Sequence, residues 1–138
     1  CDVVSFNTYA DLPQHGFDAG AMRKLDKPVL ISEFLFGSAD RGPFGDGVVP
    51  VASEAQRGPA YARFVAAAAG DPQIVGVHWF QYADLPVTGR LLDGENSHIG
   101  LVGITDIPFG GFVEAARAAN LQAARATQTV ETGQPPRR

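Results

Sequence analysis

Cysteine is nearly absent. Cys1 stands alone in 138 residues, which rules out an intramolecular disulfide framework and a thiolate metal site. Basic residues are also few: 11 Lys and Arg face 15 Asp and Glu, for a formal net charge of -4. Apart from Arg137-Arg138 they form no stripe, so the chain lacks the electrostatic footprint of a nucleic-acid or anionic-membrane binder. No run approaches the ~20 apolar residues of a membrane span, and no basic segment leads into a signal-peptide core. The histidines, at positions 15, 78 and 98, are too scattered for a metal site. Asp93 to Asn96 (DGEN) is dense in oxygen ligands but does not have EF-hand spacing, and Gly37, Gly42, Gly45 and Gly47 do not make a G-x-G-x-x-G phosphate cradle. These absences leave no cofactor and no metal, and a neutral or small partner.

The chain does have an alternation of apolar runs. Asp2 to Tyr9 (DVVSFNTY), Pro28 to Phe34 (PVLISEF) and Gln73 to Tyr82 (QIVGVHWFQY) read as strands of a parallel sheet, short and apolar without strict alternation. Helical patterns lie between them. Asp18 is placed to cap a helix over Ala19 to Leu25, with Arg23 and Lys24 suiting its C-terminal end. A second helix is expected from about Ser53 to Ala69, with Ser53 and Gln56 in capping-box spacing, a kink or late start at Gly58-Pro59, and a stop at Gly70 and Pro72. The third covers Gly111 to Ala126. From Thr127 the sequence has too little apolar content to pack and reads as a flexible tail, residues 127–138.

The order βαβαβα, with long loops over Leu35 to Ala52 and Ala83 to Pro108, predicts an α/β fold with parallel strands and right-handed crossovers. A complete (β/α)8 barrel needs roughly 250 residues, so residues 1–126 would supply only the last three βα units of a TIM barrel. The start on Cys1, already inside a strand-like run, fits a fragment. A small doubly wound, flavodoxin-like domain is the other architecture open to this pattern.

In either architecture the pocket forms where parallel strands end, and all three runs end in polar or aromatic groups. These are Asn7 and Tyr9, then Glu33, then Trp79, Gln81 and Tyr82. Strict alternation would put Glu33 on one face with Ile31 and Val29, and Trp79 with Val77 and Val75, so that Glu33, Tyr9 and Trp79 converge on one cavity. A carboxylate oriented by a phenol, beside an indole able to support the apolar face of a sugar, suits covalent glycoside chemistry. His78, on the opposite strand face from Trp79, reads as a satisfied histidine beneath the helix layer; His98 reads as a loop residue within reach of ligand.

The segments DVVSFNTY, KPVLISEF and VGVHWFQYADLPVTGRLLDGENSHIGLVGITDIPF, in this order, resemble strands six, seven and eight of a clan-A retaining glycoside hydrolase barrel. They are most similar to agarase-like and β-galactosidase-like proteins. The resemblance implies Glu33 as catalytic nucleophile, Tyr9 as its aromatic contact and Trp79 as the platform under the sugar. Arg90, Glu95 and Asn96, in the long last loop, would shape the pocket or bind hydroxyls, joining Asn7, Gln81 and Tyr82 on the substrate side. It also implies an oligo- or polysaccharide substrate, a β-linked galactan such as agarose or a related β-glycoside, and an extracellular or periplasmic location. The acid/base glutamate of that clan follows an asparagine, and no Asn-Glu dipeptide occurs here. The expectation is therefore an inactive fragment of an active parent. A non-catalytic carbohydrate-binding or structural α/β module is the alternative.

Overall fold

The computed structural model describes residues 1–42 and 44–132. Three short parallel strands, β1 (Val4–Asn7), β2 (Val29–Phe34) and β3 (Ile74–Trp79), pair in the order β1-β2-β3. They are joined by α1 (Ala19–Leu25) and α2 (Glu54–Ala69), and α3 (Gly110–Thr132) follows β3. The strand runs read from the sequence are longer than the strands, because their polar and aromatic ends turn out of the ladder into loops. A 3-10 turn, Pro13–His15, was not foreseen.

α1 lies where the sequence puts it. The Asp18 carboxylate accepts from the backbone N–H groups of Gly20 and Ala21 at 2.9 and 3.1 Å, and a left-handed Asp26 ends the helix. α2 departs from expectation. Ser53 makes no side-chain cap; instead Asp40, from the loop after β2, accepts the Glu54 N–H with both carboxylate oxygens at 2.9 and 3.1 Å. The helix also runs through Pro59 without ending, although the ring removes one backbone donor. α3 continues past Ala126 to Thr132, and the rest of the expected tail lies outside the described residues.

The core lies on one face of the sheet. Ile31 and Phe34 of β2, with Val77 and Trp79 of β3, pack against Ala60, Tyr61, Phe64 and Val65 of α2 and Phe112, Ala116 and Ala119 of α3. Phe34 and Phe64 stack with ring centroids 4.2 Å apart. At the α2/α3 crossing a Cβ on Gly58 would stand 2.6 Å from the Ala115 Cβ. Gly58→Val should therefore force the helices apart, at a cost of about 1–3 kcal/mol for overpacking. Urea unfolding would measure this, and an unchanged midpoint would show that the crossing is slack. On the other face Ser5, Asn7 and His78 are exposed. His78 thus lies on the uncovered side of the sheet, not beneath the helix layer, because the helices pack on the side of Trp79.

Candidate active site

The strand ends bring Glu33 and Tyr9 together by an irregularity. Against β1, Phe6 pairs with Ile31 but Asn7 pairs with Glu33; against β3, Ile31 pairs with Val77 and Phe34 with Trp79. An extra residue at Ser32-Glu33 shifts the register, which is a β-bulge, a device that re-aims side chains. Ile31 and Phe34 both face the helices, while Glu33, beside Asn7, faces the open side. The expected companionship of Glu33 with Ile31 and Val29 is corrected by that bulge, since strict alternation fails across it.

On the open side the Tyr9 hydroxyl donates to Glu33 Oε2, and the backbone repeats the link, with Thr8 N–H donating to the Glu33 carbonyl at 2.8 Å. Partial burial, then the bond to Glu33, raises the Tyr9 pKa far above its ordinary 10.0, so the phenol keeps its proton and stays a donor. Ser32 Oγ donates to Asn7 Oδ1 at 3.0 Å, tying the bulge to β1.

Trp79 does not join them. Its ring lies on the helix side, edge-on to Phe34 at 5.2 Å and 4.9 Å from Phe112, and its indole N–H donates to the Ile99 carbonyl at 3.0 Å. Pairing with Phe34 sends the indole to the face opposite Glu33. It is a packing residue, and its place as a sugar platform beside Glu33 is withdrawn.

The last loop brings Arg90 and Glu95 near the phenol: both act electrostatically on Tyr9. Arg90 forks onto Asp93 at 3.0 and 2.5 Å and reaches Glu95 Oε2 at 2.9 Å, and Ser97 Oγ donates to Glu95 Oε1 at 3.1 Å. The turn is tight, with Gly89 at φ +87° and so close to Gly94 that a Cβ there would lie 2.6 Å from the Gly94 carbonyl oxygen. The remaining sequence candidates are occupied elsewhere. Asn96 accepts from Gly45 N–H at 3.3 Å, Gln81 donates to its neighbour Ala83 at 3.0 Å, and Tyr82, an exposed ring, donates to Asp106 at 3.0 Å. The Phe80–Gln81 peptide is cis.

A cavity of about 440 Å³ lies at the opposite end of the sheet, between Arg23, Lys27, Pro28, Asp71 and Gln73. It is remote from this chemistry, because those residues precede β2 and β3 whereas Glu33 closes β2.

Sequence reasoning missed a buried ionic network. Arg57 and His98 are wholly buried and Asp84 nearly so. Arg57 Nε donates to the Phe36 carbonyl at 2.9 Å, Nη2 to the Gly100 carbonyl at 2.7 Å and Nη1 to Glu54 Oε2 at 2.9 Å. His98 meets Asp84 Oδ2 at 2.7 Å and Glu54 Oε2 at 2.5 Å. The Asp84 Oδ1 atom accepts the N–H groups of Ile99 and Gly100 at 2.9 and 2.7 Å. His98 is thus an interior hub, not a loop residue open to ligand. One signal was available: Arg57 stands four residues before Tyr61 on the apolar stripe that continues through Phe64, Val65 and Ala68, a place for a paired arginine.

Removing the Tyr9 hydroxyl takes one hydrogen bond from a carboxylate, worth about 1.5–3 kcal/mol. If Glu33 is the reacting group, Tyr9→Phe in a longer protein that carries the preceding segment should lower kcat by roughly 10- to 100-fold, alongside a fall in unfolding midpoint that leaves the protein folded at the assay temperature. Steady-state kinetics beside thermal melting would check this, and an unaltered kcat would remove the phenol from the chemistry.

The fold of the chain recurs as a segment of large glycoside hydrolases. More particularly, the chain is homologous to β-agarases. It is 48% identical over 120 residues to β-agarase B of Vibrio sp. (strain JT0107) and 42% identical over 123 residues to β-agarase A of that strain, in each case with 86% of this chain aligned. An exo-β-agarase structure is similar with a TM-score of 0.84 at 40% identity, over 91% of this chain and 17% of that one. The chain spans 12% of the length of the two curated relatives. No family model matches it. Of the resemblance read from the sequence, the relatives carry the agarase part.

Proposed function

We propose that the chain forms the C-terminal portion of a (β/α)8 barrel in a β-agarase, and that Glu33 is the nucleophile of a retaining hydrolysis of a β-linked galactan such as agarose. The sequential strand order, with helices packed on one face and polar groups on the other, suits an arc of such a barrel, and argues against a doubly wound sheet, whose order reverses. The observation that carries the reading is the Tyr9–Glu33 contact on the open face, at the C-terminal ends of neighbouring parallel strands.

The phenol engages Oε2 and holds the carboxylate in one orientation, so Oε1 is the attacking oxygen. It forms a bond to the anomeric carbon as the glycosidic carbon–oxygen bond breaks, and an acid protonates the departing oxygen. Water then releases the sugar from Glu33 with net retention. That acid must sit about 5–5.5 Å from Glu33, and we place it outside these 138 residues. Asn7, Arg90 and Glu95 bind sugar hydroxyls around the bond being cut, and Gln81, Tyr82 and Asn96 belong to the wall of loops at the rim.

An activated 2-deoxy-2-fluoro-β-galactoside, incubated with the protein that also carries the preceding segment, should leave a label on the peptide containing Glu33, read by mass spectrometry. A label elsewhere, or inverted product, would end the retaining assignment to Glu33. The isolated chain should turn over no agar oligosaccharide. Appreciable turnover would direct attention to Glu95 as an internal acid. Binding of agarose without any cleavage by the longer protein would make the chain part of a carbohydrate-binding module.

A further inference from the structure

We propose that His98 is a positioning residue of the catalytic face. Held between Glu54 and Asp84, it clasps the last loop to α2 and thereby sets where Arg90 and Glu95 stand beside Tyr9 and Glu33. The word catalytic here rests on the glycosidase reading.

The geometry favours a doubly protonated ring. Asp84 lies 2.7 Å from Nδ1 and Glu54 2.5 Å from Nε2, nearer than the Arg57 Nη1 atom that also faces Nε2 at 3.3 Å. Ionised carboxylates accept, so donation from both ring nitrogens satisfies the closest contacts. The charged groups that face the ring are Glu54 and Arg57 from α2, Asp84 from the last loop and Asp40 from the loop after β2. Three carboxylates against one guanidinium favour a cationic ring. Burial opposes that charge, but the hydrogen bonds to Asp84 and Glu54 outweigh it and raise the His98 pKa above 6.5. Glu54 likewise resists burial through its bonds to His98 and Arg57, which lower its pKa.

From the ring the constraint passes along two short routes. Asp84 grips the backbone of Ile99 and Gly100, while Arg57 spans from Gly100 to the carbonyl of Phe36, three residues beyond Glu33. In the other direction His98 N–H donates to the Gly45 carbonyl at 2.9 Å, and its neighbour Ser97 holds Glu95, which holds Arg90. The ring is 0% exposed, so it acts through these neighbours and not on the sugar. Loss of one ring proton breaks one of its two carboxylate bonds. The clasp is therefore complete below the ordinary histidine pKa and loosens as pH rises through the elevated one.

The test needs two readouts. Imidazole ¹⁵N NMR of the chain should show both ring nitrogens of His98 protonated below pH 6.5, with a titration displaced upward from the ordinary histidine value that also moves the ¹³Cζ signal of Tyr9. His98→Gln should shift that Tyr9 signal while leaving Ala60 and Phe64 signals in place. In the agarase it should lower kcat on the order of 100-fold, the scale of a ~1 Å misplacement, with KM nearly constant. Glu54→Gln keeps the size and one acceptor and so guards against misfolding; it should bring the His98 titration and the alkaline limb of kcat to lower pH. A His98 ring carrying a single proton at pH 6.5, or Tyr9 and kcat unmoved in a folded variant, overturns the proposal. Ring protonation and the Tyr9 signal are read without substrate. A protein that cleaves no agarose therefore counts against the glycosidase reading alone, and those two signals still decide the clasp.

Discussion

On the proposed reading, Glu33→Gln in the protein that also carries the preceding segment is expected to lower agarose cleavage by on the order of 10⁴-fold or more, the scale of losing a covalent nucleophile, with KM and unfolding midpoint close to those of the unsubstituted protein. The physical case is local. Glutamine keeps the length of the side chain and an oxygen that accepts the Tyr9 proton, so the bulge and the strand end keep their shape. What disappears is the negative charge able to attack the anomeric carbon. Glu33→Asp keeps the charge but withdraws it by one methylene, and a ~1 Å misplacement costs on the order of 100-fold. Glu33→Gly, supplied with azide, should regain turnover and release the glycosyl azide of inverted configuration, because the small anion enters from the vacated side. Kinetics on agar oligosaccharides with product analysis would read all three. Glu33→Gln activity within tenfold of the parent would show that the nucleophile lies elsewhere.

Arg57→Met should destabilise the chain strongly, by roughly 3–5 kcal/mol, the range seen when one member of a buried ion pair is removed. Methionine fills much of the volume, and packing against Phe112, now 4.2 Å from the guanidinium carbon, is largely kept. The loss is polar. The carbonyls of Phe36 and Gly100 each lose their arginine donor in the interior, and an uncompensated buried group costs more than a hydrogen bond adds. Glu54, Asp84 and His98 are left without the guanidinium that balanced them. Arg57→Lys should fall between the two, since one ammonium does not reproduce the planar fork that spans both carbonyls. Urea unfolding at neutral pH would measure the midpoint, with the slope expected to hold if the unfolded state is unaffected. A loss below about 1 kcal/mol would reduce the network to ordinary surface pairing.

Much of the layout was legible in one dimension because it depends on near neighbours. The helix over Ala19 to Leu25 is announced by Asp18, whose carboxylate reaches donors only two and three residues on. The stop at Gly70 and the three apolar runs are likewise local, and the run containing Glu33 marks that carboxylate as a candidate through the residues around it. The start of α2 falls where Ser53 puts it, but its side-chain cap was misassigned for the converse reason: the acceptor is Asp40, fourteen residues away across a loop, and no spacing rule relates them.

The sequence alone determined the alternation of strands and helices, the parallel sheet that it requires, and the gathering of polar groups at strand ends, since apolar periodicity and turn residues act over a few positions. Tertiary structure alone decided which way those ends point. A bulge shared by three strands put Glu33 on the open face with Tyr9 and left Trp79 in the core. A guanidinium and an imidazole with carboxylates from two elements fastened the last loop. Facing and pairing of this kind depend on contacts between residues far apart in the chain. Their energies are settled only when the layers meet and water is excluded from between them.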